Sequence, residues 1–366
     1  MALSSWRWLH VVGFTVSALL MADPARAISI SWVTVGNPGN PADTNFTGAV
    51  AAEYRIMAFE FTNSQYAAFL NAVDPAGVNP NSVYNPAMGA GRGGILNSGS
   101  QTGARYVVAP NMGDKPVNYV SWFDAARVAN WLHNGQGNGD TETGAYTLAN
   151  SVAAPALAVN VGARFWIPTE DQWYKAAYYN AAANGGAGGY SLYPHGFAHA
   201  APVDATAEGV GRIGEVTPVQ SAPYANFQAQ ATWNGLLGNV TSVGTNGGPS
   251  FYGAFDMAGN VAEWSEPVSQ NGIDRSTLPV RGGTWLNTLP TDLSSSARFT
   301  TAVASENYEL GFRLVSPVPE PAALGLASGG LVAAVLWRVS RIRRRQAKPL
   351  LHARRTALRA EPLYGL

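Results

Sequence analysis

Three segments place apolar residues along one helical face behind a polar start. Thr62 is followed three positions later by Gln65, with Tyr66, Phe69, Leu70 and Val73 at i, i+3, i+4 and i+7. Ser121 and Asp124 lead into Ala125, Val128, Ala129 and Leu132, and Thr169 and Gln172 lead into Trp173, Ala176 and Ala177. Each predicts an amphipathic helix closed by a capping box, in which two side chains satisfy backbone N–H groups that lack a partner within the helix. Tyr54 to Phe61 and Arg164 to Ile167 read as short β-rich runs, Asn184 to Gly189 as a turn, and the Gly- and Asn-rich stretch Asn79 to Asn111 as a surface excursion. There is no internal repeat, and no Pro/Ser-rich linker precedes Ser316. Residues 28–315 are therefore expected to form one α+β domain with little regular secondary structure.

Composition narrows the class. Hydrophobic residues make up 46% of the 366 positions, with 40 Gly, 23 Pro and 13% charge, which excludes a disordered chain, a coiled coil and collagen. The net charge of zero conceals an acidic body and a basic tail. Residues 28–315 carry 12 Lys/Arg against 20 Asp/Glu, and residues 338–366 carry nine against one. An acidic body gives no electrostatic footprint for nucleic acid. The absence of cysteine removes disulfides, thiolate metal sites and thiol catalysis together.

Both ends read as addresses. Arg7, the apolar run Val11 to Met21 and Ala25-Arg26-Ala27 supply the charged region, apolar region and small-residue cleavage site of a secretory signal over residues 1–27. At the other end, Val318-Pro319-Glu320-Pro321 precedes the apolar segment 322–337 and then Arg338, Arg341, Arg343, Arg344 and Arg345. Residues 316–345 resemble a PEP-CTERM sorting tail, the bacterial exosortase signal, followed by a basic extension over 346–366. Sixteen apolar residues give about 24 Å of helix, short for a permanent span, and the arginines would stay cytoplasmic. The expectation is an exported protein of the bacterial cell envelope, held at the membrane before processing and handled by exosortase-type machinery. Whether the segment is cleaved or stays as an anchor is left open.

The body resembles the sulfatase-modifying-factor family, the formylglycine-generating enzymes. The resemblance rests on six motifs in order: Phe59-Glu60-Phe61-Thr62-Asn63-Ser64-Gln65-Tyr66, Pro116-Val117-Asn118-Tyr119-Val120-Ser121-Trp122, Pro168-Thr169-Glu170-Asp171-Gln172-Trp173, Met257-Ala258-Gly259-Asn260-Val261-Ala262-Glu263-Trp264, Arg281-Gly282-Gly283-Thr284-Trp285 and Gly311-Phe312-Arg313. It implies a compact variant of the C-type-lectin-like fold, structural calcium and, in the enzymes, copper held by two cysteines. Asp256 and Glu263, seven apart around Gly259, can supply oxygen ligands to a hard cation. The family pattern assigns calcium to the side chains of Asp256 and Glu263 and the carbonyls of Gly259 and Val261. In the alternative reading, Glu263 and Asn260 merely brace the loop. A second calcium site matches at Asn226 and Phe227 but lacks a clear downstream acid.

The copper positions hold Asn287 and, approximately, Asp292. An amide and a carboxylate do not replace thiolates for soft Cu(I), so no copper is expected and no residue is assigned a catalytic role. Of the body histidines, His195 and His199 read as loop residues, and His133 as a cation facing a helix C-terminus. Asn45-Phe46-Thr47 and Asn239-Val240-Thr241 fit the glycosylation sequon. Trp122, Trp173, Trp264 and Trp285 read as core, while Trp233 is read as free to meet a ligand. Two functions stay open: a non-catalytic envelope module that binds a protein or glycan, and a protein-modifying oxidoreductase acting without cysteine.

Overall fold

The computed structural model describes residues 27–100, 104–148, 158–195, 203–204, 224–233, 236–245, 248–267 and 275–319. All three capping boxes form. Thr62 caps α1 (Asn63–Val73), Ser121 caps α2 (Trp122–His133) and Thr169 caps α3 (Glu170–Tyr178), each accepting from the N–H three residues on. Helix α1 buries Tyr66, Phe69 and Leu70 as its periodicity requires. Helix α2 is buried from Trp122 to Leu132, including its polar positions. Those polar groups are paired, as burial demands: Arg127 Nε donates to Glu142 at 2.7 Å, and Asn130 bonds Thr141 O and Tyr146 N, both at 2.7 Å.

Two small sheets frame the helices. β1 (Trp32–Val35), β2 (Tyr54–Met57) and a C-terminal strand over Val315–Pro317 form an antiparallel sheet with β2 central, so the first and last strands share one partner. In the second sheet, β3 (Ala262–Trp264) lies between β4 (Thr277–Arg281), antiparallel, and β6 (Leu310–Gly311), parallel. β5 (Phe299–Ala302) pairs with β4 and forms an edge. Residues up to Val318 make one compact unit, and those from Pro319 fall in another. No helix among the described residues is long and apolar enough to cross a membrane, and 322–337 lies outside them.

Two expectations need correction. Of Arg164 to Ile167, only Trp166 pairs with a strand, exchanging both backbone bonds with Val315. The stretch Asn79 to Asn111 is no surface excursion. It buries Val83, Tyr84, Met88, Ile95 and Tyr106 in the main core, and Ile95–Asn97 pairs with Tyr106–Val108. The composition misleads because side-chain amides do there what ladders do elsewhere. Asn71 donates to Tyr106 O at 2.7 Å and accepts from Tyr106 N at 2.9 Å, and Asn79 makes the same pair of bonds to Tyr84 at 2.8 and 3.0 Å.

Trp122, Trp173, Trp264 and Trp285 are all buried core residues. Several charged groups enter the core in pairs, which offsets the cost of desolvating a lone ion. Glu170 is clamped by Arg281 at 2.6 Å and Arg298 at 2.7 Å, tying α3 to β4 and to the start of β5.

Candidate functional site: a polar cleft over the four-stranded sheet

After β4 the chain turns through Gly282 and Gly283, at φ 94° and 71°. A Cβ on Gly283 would lie 3.0 Å from both Asn287 Oδ1 and Asp292 O, a tight contact, and it is the positive φ that calls for glycine at this return. This return brings Asn287 and Asp292 together. Asn287 Oδ1 accepts from Thr284 N at 2.6 Å, and Asn287 Nδ2 donates to Asp292 Oδ2 at 3.2 Å. The Thr284 hydroxyl donates to Glu309 Oε2 at 2.8 Å and accepts from Leu286 N at 3.1 Å.

Beside this turn lies a cleft of about 200 Å³. Ala262, Val280 and Leu310 of the sheet give it an apolar floor, Phe299 to Thr301 of β5 form one wall, and Thr284, Asn287, Asn307 and Glu309 supply polar groups. Trp285 is buried behind the turn and donates from Nε1 to Tyr308 O at 3.3 Å. The Arg92 guanidinium stacks over Trp285 at 4.9 Å and over Tyr308 at 5.5 Å. Neither Arg92 nor Glu309 was singled out from sequence. Arg92 lies in the Gly/Asn-rich stretch read as surface, and Glu309 lies 25 residues from the threonine that binds it.

The loop expected to bind calcium is densely hydrogen-bonded. Glu263 is buried and accepts from Arg313 through both oxygens, each at 2.6 Å, and from Trp173 Nε1 at 2.8 Å. Asp256 Oδ2 accepts from Gly244 N at 2.5 Å. Asn260 is the hub of the loop: its amide donates to Glu60 Oε2 at 2.7 Å, and its Oδ1 accepts from Thr241 N at 2.9 Å and Asn226 Nδ2 at 3.2 Å. Glu263 and Asn260 thus hold the loop by hydrogen bonds. Burial pushes the Glu60 carboxyl well above its ordinary range, with Asp256 and Glu263 adding like charge.

Asn226 and Gly259 belong to neighbouring chain segments joined by a backbone bridge. A Cβ on Gly259 would stand 2.3 Å from Asn226 O, so this close approach also requires glycine. Asn226 Oδ1 is buried without a hydrogen-bond partner among the described residues, and Phe227 is buried in a small cluster with Ala258 and Leu293. No three His, Asp or Glu side chains among the described residues converge as a metal cluster. The donor set therefore fits a hard cation only in part. An orphaned amide oxygen is present, while the Glu263 carboxylate is spent on a guanidinium.

His133 stands in the last turn of α2; its Nδ1 accepts from Arg164 N at 3.1 Å, and the Arg164 guanidinium bonds His133 O at the same helix end. Burial lowers His195 to about 4, whereas His199 lies outside the described residues, so the pair cannot be described as a site. Asn239 and Thr241 are completely buried, which rules their sequon out as an acceptor in the folded protein; Asn45 lies on an open loop. The Trp233 side chain lies outside what is described.

Comparison with solved structures finds overlaps over most of the chain. Treponema denticola variable protein 1 is 18% identical, covering 80% of this chain and 97% of its own, at a TM-score of 0.47. CarF is 21% identical, with coverages of 80% and 99% and a TM-score of 0.45. PvdO from Pseudomonas aeruginosa is 16% identical, with coverages of 79% and 92% and a TM-score of 0.39. No curated protein matches. Residues 33–318 match the sulfatase-modifying factor enzyme 1-like domain, and the chain belongs to that family.

Proposed function

We propose that the domain is a non-catalytic binding module of an exported cell-envelope protein, on a compact variant of the C-type-lectin-like fold. The observation that carries this is the Asn287–Asp292 hydrogen bond at the place of the copper-binding thiolates, in a chain with no cysteine. The polar groups of that turn hold one another: Asn287 bonds Asp292 and the Thr284 backbone, and the Thr284 hydroxyl bonds Glu309. Binding in a cleft and redox chemistry at its wall are separable contributions, so the first can persist without the second. The test incubates the full chain with copper, oxygen, reductant and a sulfatase-type cysteine peptide, followed by mass analysis. The expected outcome is no aldehyde. Turnover that is lost in Asn287→Ala or Asp292→Ala would overturn the reading.

Export through residues 1–27 and sorting through 316–345 belong to the same proposal, and intact residues 338–366 in the mature envelope protein would sink the processing step. Structural calcium on the Asn226–Phe227 and Asp256–Glu263 loops is a separate proposal, supported by the orphaned Asn226 oxygen. An ion bound only by the folded state would add about 2.7 kcal/mol at a hundredfold excess over Kd. Equal melting of wild type and Asp256→Ala, with and without chelator, would remove it.

A further inference from the structure

The first and last strands of the domain flank β2, so the chain enters and leaves through one small sheet. Trp32 stands opposite Met57 and Pro317 opposite Tyr54, on the two sides of β2. Entry and exit are thus about 10 Å apart along the strands and about 10 Å apart across them. The side chains around them mix aromatic rings with cations. Trp32 stacks on Phe165 at 5.8 Å, and the Arg55 guanidinium lies over the Trp32 ring at 5.2 Å. Arg55 also donates to Ser316 Oγ at 2.8 Å and to Pro317 O at 3.2 Å, which ties this group to the exit strand. Ile28, Ile30, Trp32 and Phe165 pack on the main core, and each keeps part of its surface open.

Just before Phe165, a tight turn closed by Ala163 N on Asn160 O at 3.1 Å carries Val161 at its tip, fully exposed, and Arg164 follows it, also exposed. A valine in that position adds nothing to the core. Neither Arg55 nor Arg164 has an ion pair among the described residues, and their bonds go to neutral oxygens, those of Arg164 to His133 O. Arg92 lacks an ion pair as well; what sets these two apart is their place beside both ends of the domain. Glu53 lies by Gly36, past the end of β1 that is away from Trp32. Rings with polar edges, guanidiniums and an apolar tip are the groups that suit the boundary between lipid headgroups and acyl chains. In sequence, five residue steps separate Pro317 from Ala322, the first residue of the apolar segment 322–337, a reach of at most about 18 Å.

We propose that the face made by Trp32, Phe165, Val161, Arg55 and Arg164 rests on an anionic lipid surface while the chain is held at the membrane. Val161 and the stacked rings enter the headgroup boundary, and the two guanidiniums meet lipid phosphates, for which their planar donor sets are suited. This rests on the export and sorting reading above and adds the face that the domain turns to the bilayer.

The chain has no cysteine, so a single fluorophore can be placed through Val161→Cys or, for comparison, through Leu289→Cys at the exposed turn after β4. The full chain is reconstituted into phosphatidylcholine vesicles with and without phosphatidylglycerol, and quenching by brominated lipid is read. The Val161 label should be quenched at least threefold more strongly with phosphatidylglycerol than without it, and at least threefold more strongly than the Leu289 label in the same vesicles. Adding Arg164→Gln should bring the Val161 signal down to its level in phosphatidylcholine, with an unchanged melting temperature. A Val161 label that stays in water on vesicles carrying the chain would overturn the proposal and leave the anchoring reading intact. Equal quenching at the two positions would remove the fixed face, and equal quenching in the two lipids would remove the anionic partner; either result overturns the proposal. A shift of the Val161 emission that grows with protein concentration and needs no lipid would give the face to a second copy instead. Failure of the chain to associate with either vesicle would overturn the anchoring reading along with the proposal.

Discussion

Two polar pairs separate the scaffold of this domain from its chemistry. Glu263 and Arg313 are fully buried, joined by two charged hydrogen bonds of 2.6 Å, and enclosed by Trp173. Asn287 and Asp292 sit beside the cleft with one bond of 3.2 Å between a neutral donor and a carboxylate. The first pair lies inside the motifs that carry the family resemblance, and the second lies outside them. A buried ion pair cannot lose one partner cheaply, because the other would be left charged in the core. A half-exposed amide has water as a substitute. Substitution should therefore cost little at the cleft wall and much in the core.

The sharpest way to break this contrast is Glu263→Ala, expected to cost about 3–5 kcal/mol in urea unfolding because Arg313 is stranded. A loss no larger than that at the cleft would remove the distinction. Next is a pH effect in the core. Burial pushes Glu266 up to about 8, although the hydrogen bond donated by Tyr146 at 2.5 Å works in the opposite direction. The folded chain then holds a proton that the unfolded chain has released. This contribution is fully present below the ordinary carboxylate range and is lost as pH rises toward about 8. Unfolding free energy should fall across that window by at most about 1.4 kcal/mol per pH unit from this group, and Glu266→Gln should flatten the slope. Asp124, raised to about 7 by burial and then by Glu306, acts with the same sign.

Thr169→Ala removes one capping bond from α3 and should cost about 1 kcal/mol, read from the urea midpoint. Smallest is Asn287→Ala, expected at about 0.5–1 kcal/mol because water can replace its bonds to Thr284 and Asp292. Asn287→Cys with Asp292→Cys sharpens the same point. The double variant should hold one Cu(I) in competition with a chromogenic chelator, and neither single variant should do so.

The helices were legible because a capping box is local: hydroxyl, acceptor and apolar face all lie within one short segment, as at Ser121, Asp124 and Ala125. The core tryptophans were legible for a similar reason, through the motifs that contain them. What escaped is non-local. Asn260 bonds Glu60 across 200 positions, and Glu263 bonds Arg313 across 50, so nothing near either residue shows that its side chain is already engaged. The stretch from Asn79 was misread because polarity in a sequence signals solvent unless the polar groups find partners, and these did. The cleft depends on the fold alone, since Thr284 and Glu309 come from different strands of sequence and meet over a sheet that neither belongs to.

The asparagines that stand in for strand partners also give the domain a clock. Asn71, Asn79 and Asn130 each use both halves of the amide, one to donate and one to accept. Spontaneous hydrolysis would convert such a residue to a carboxylate that still accepts but no longer donates, and that brings a new charge with it. Ageing would then proceed one brace at a time, in slow covalent steps that refolding cannot reverse.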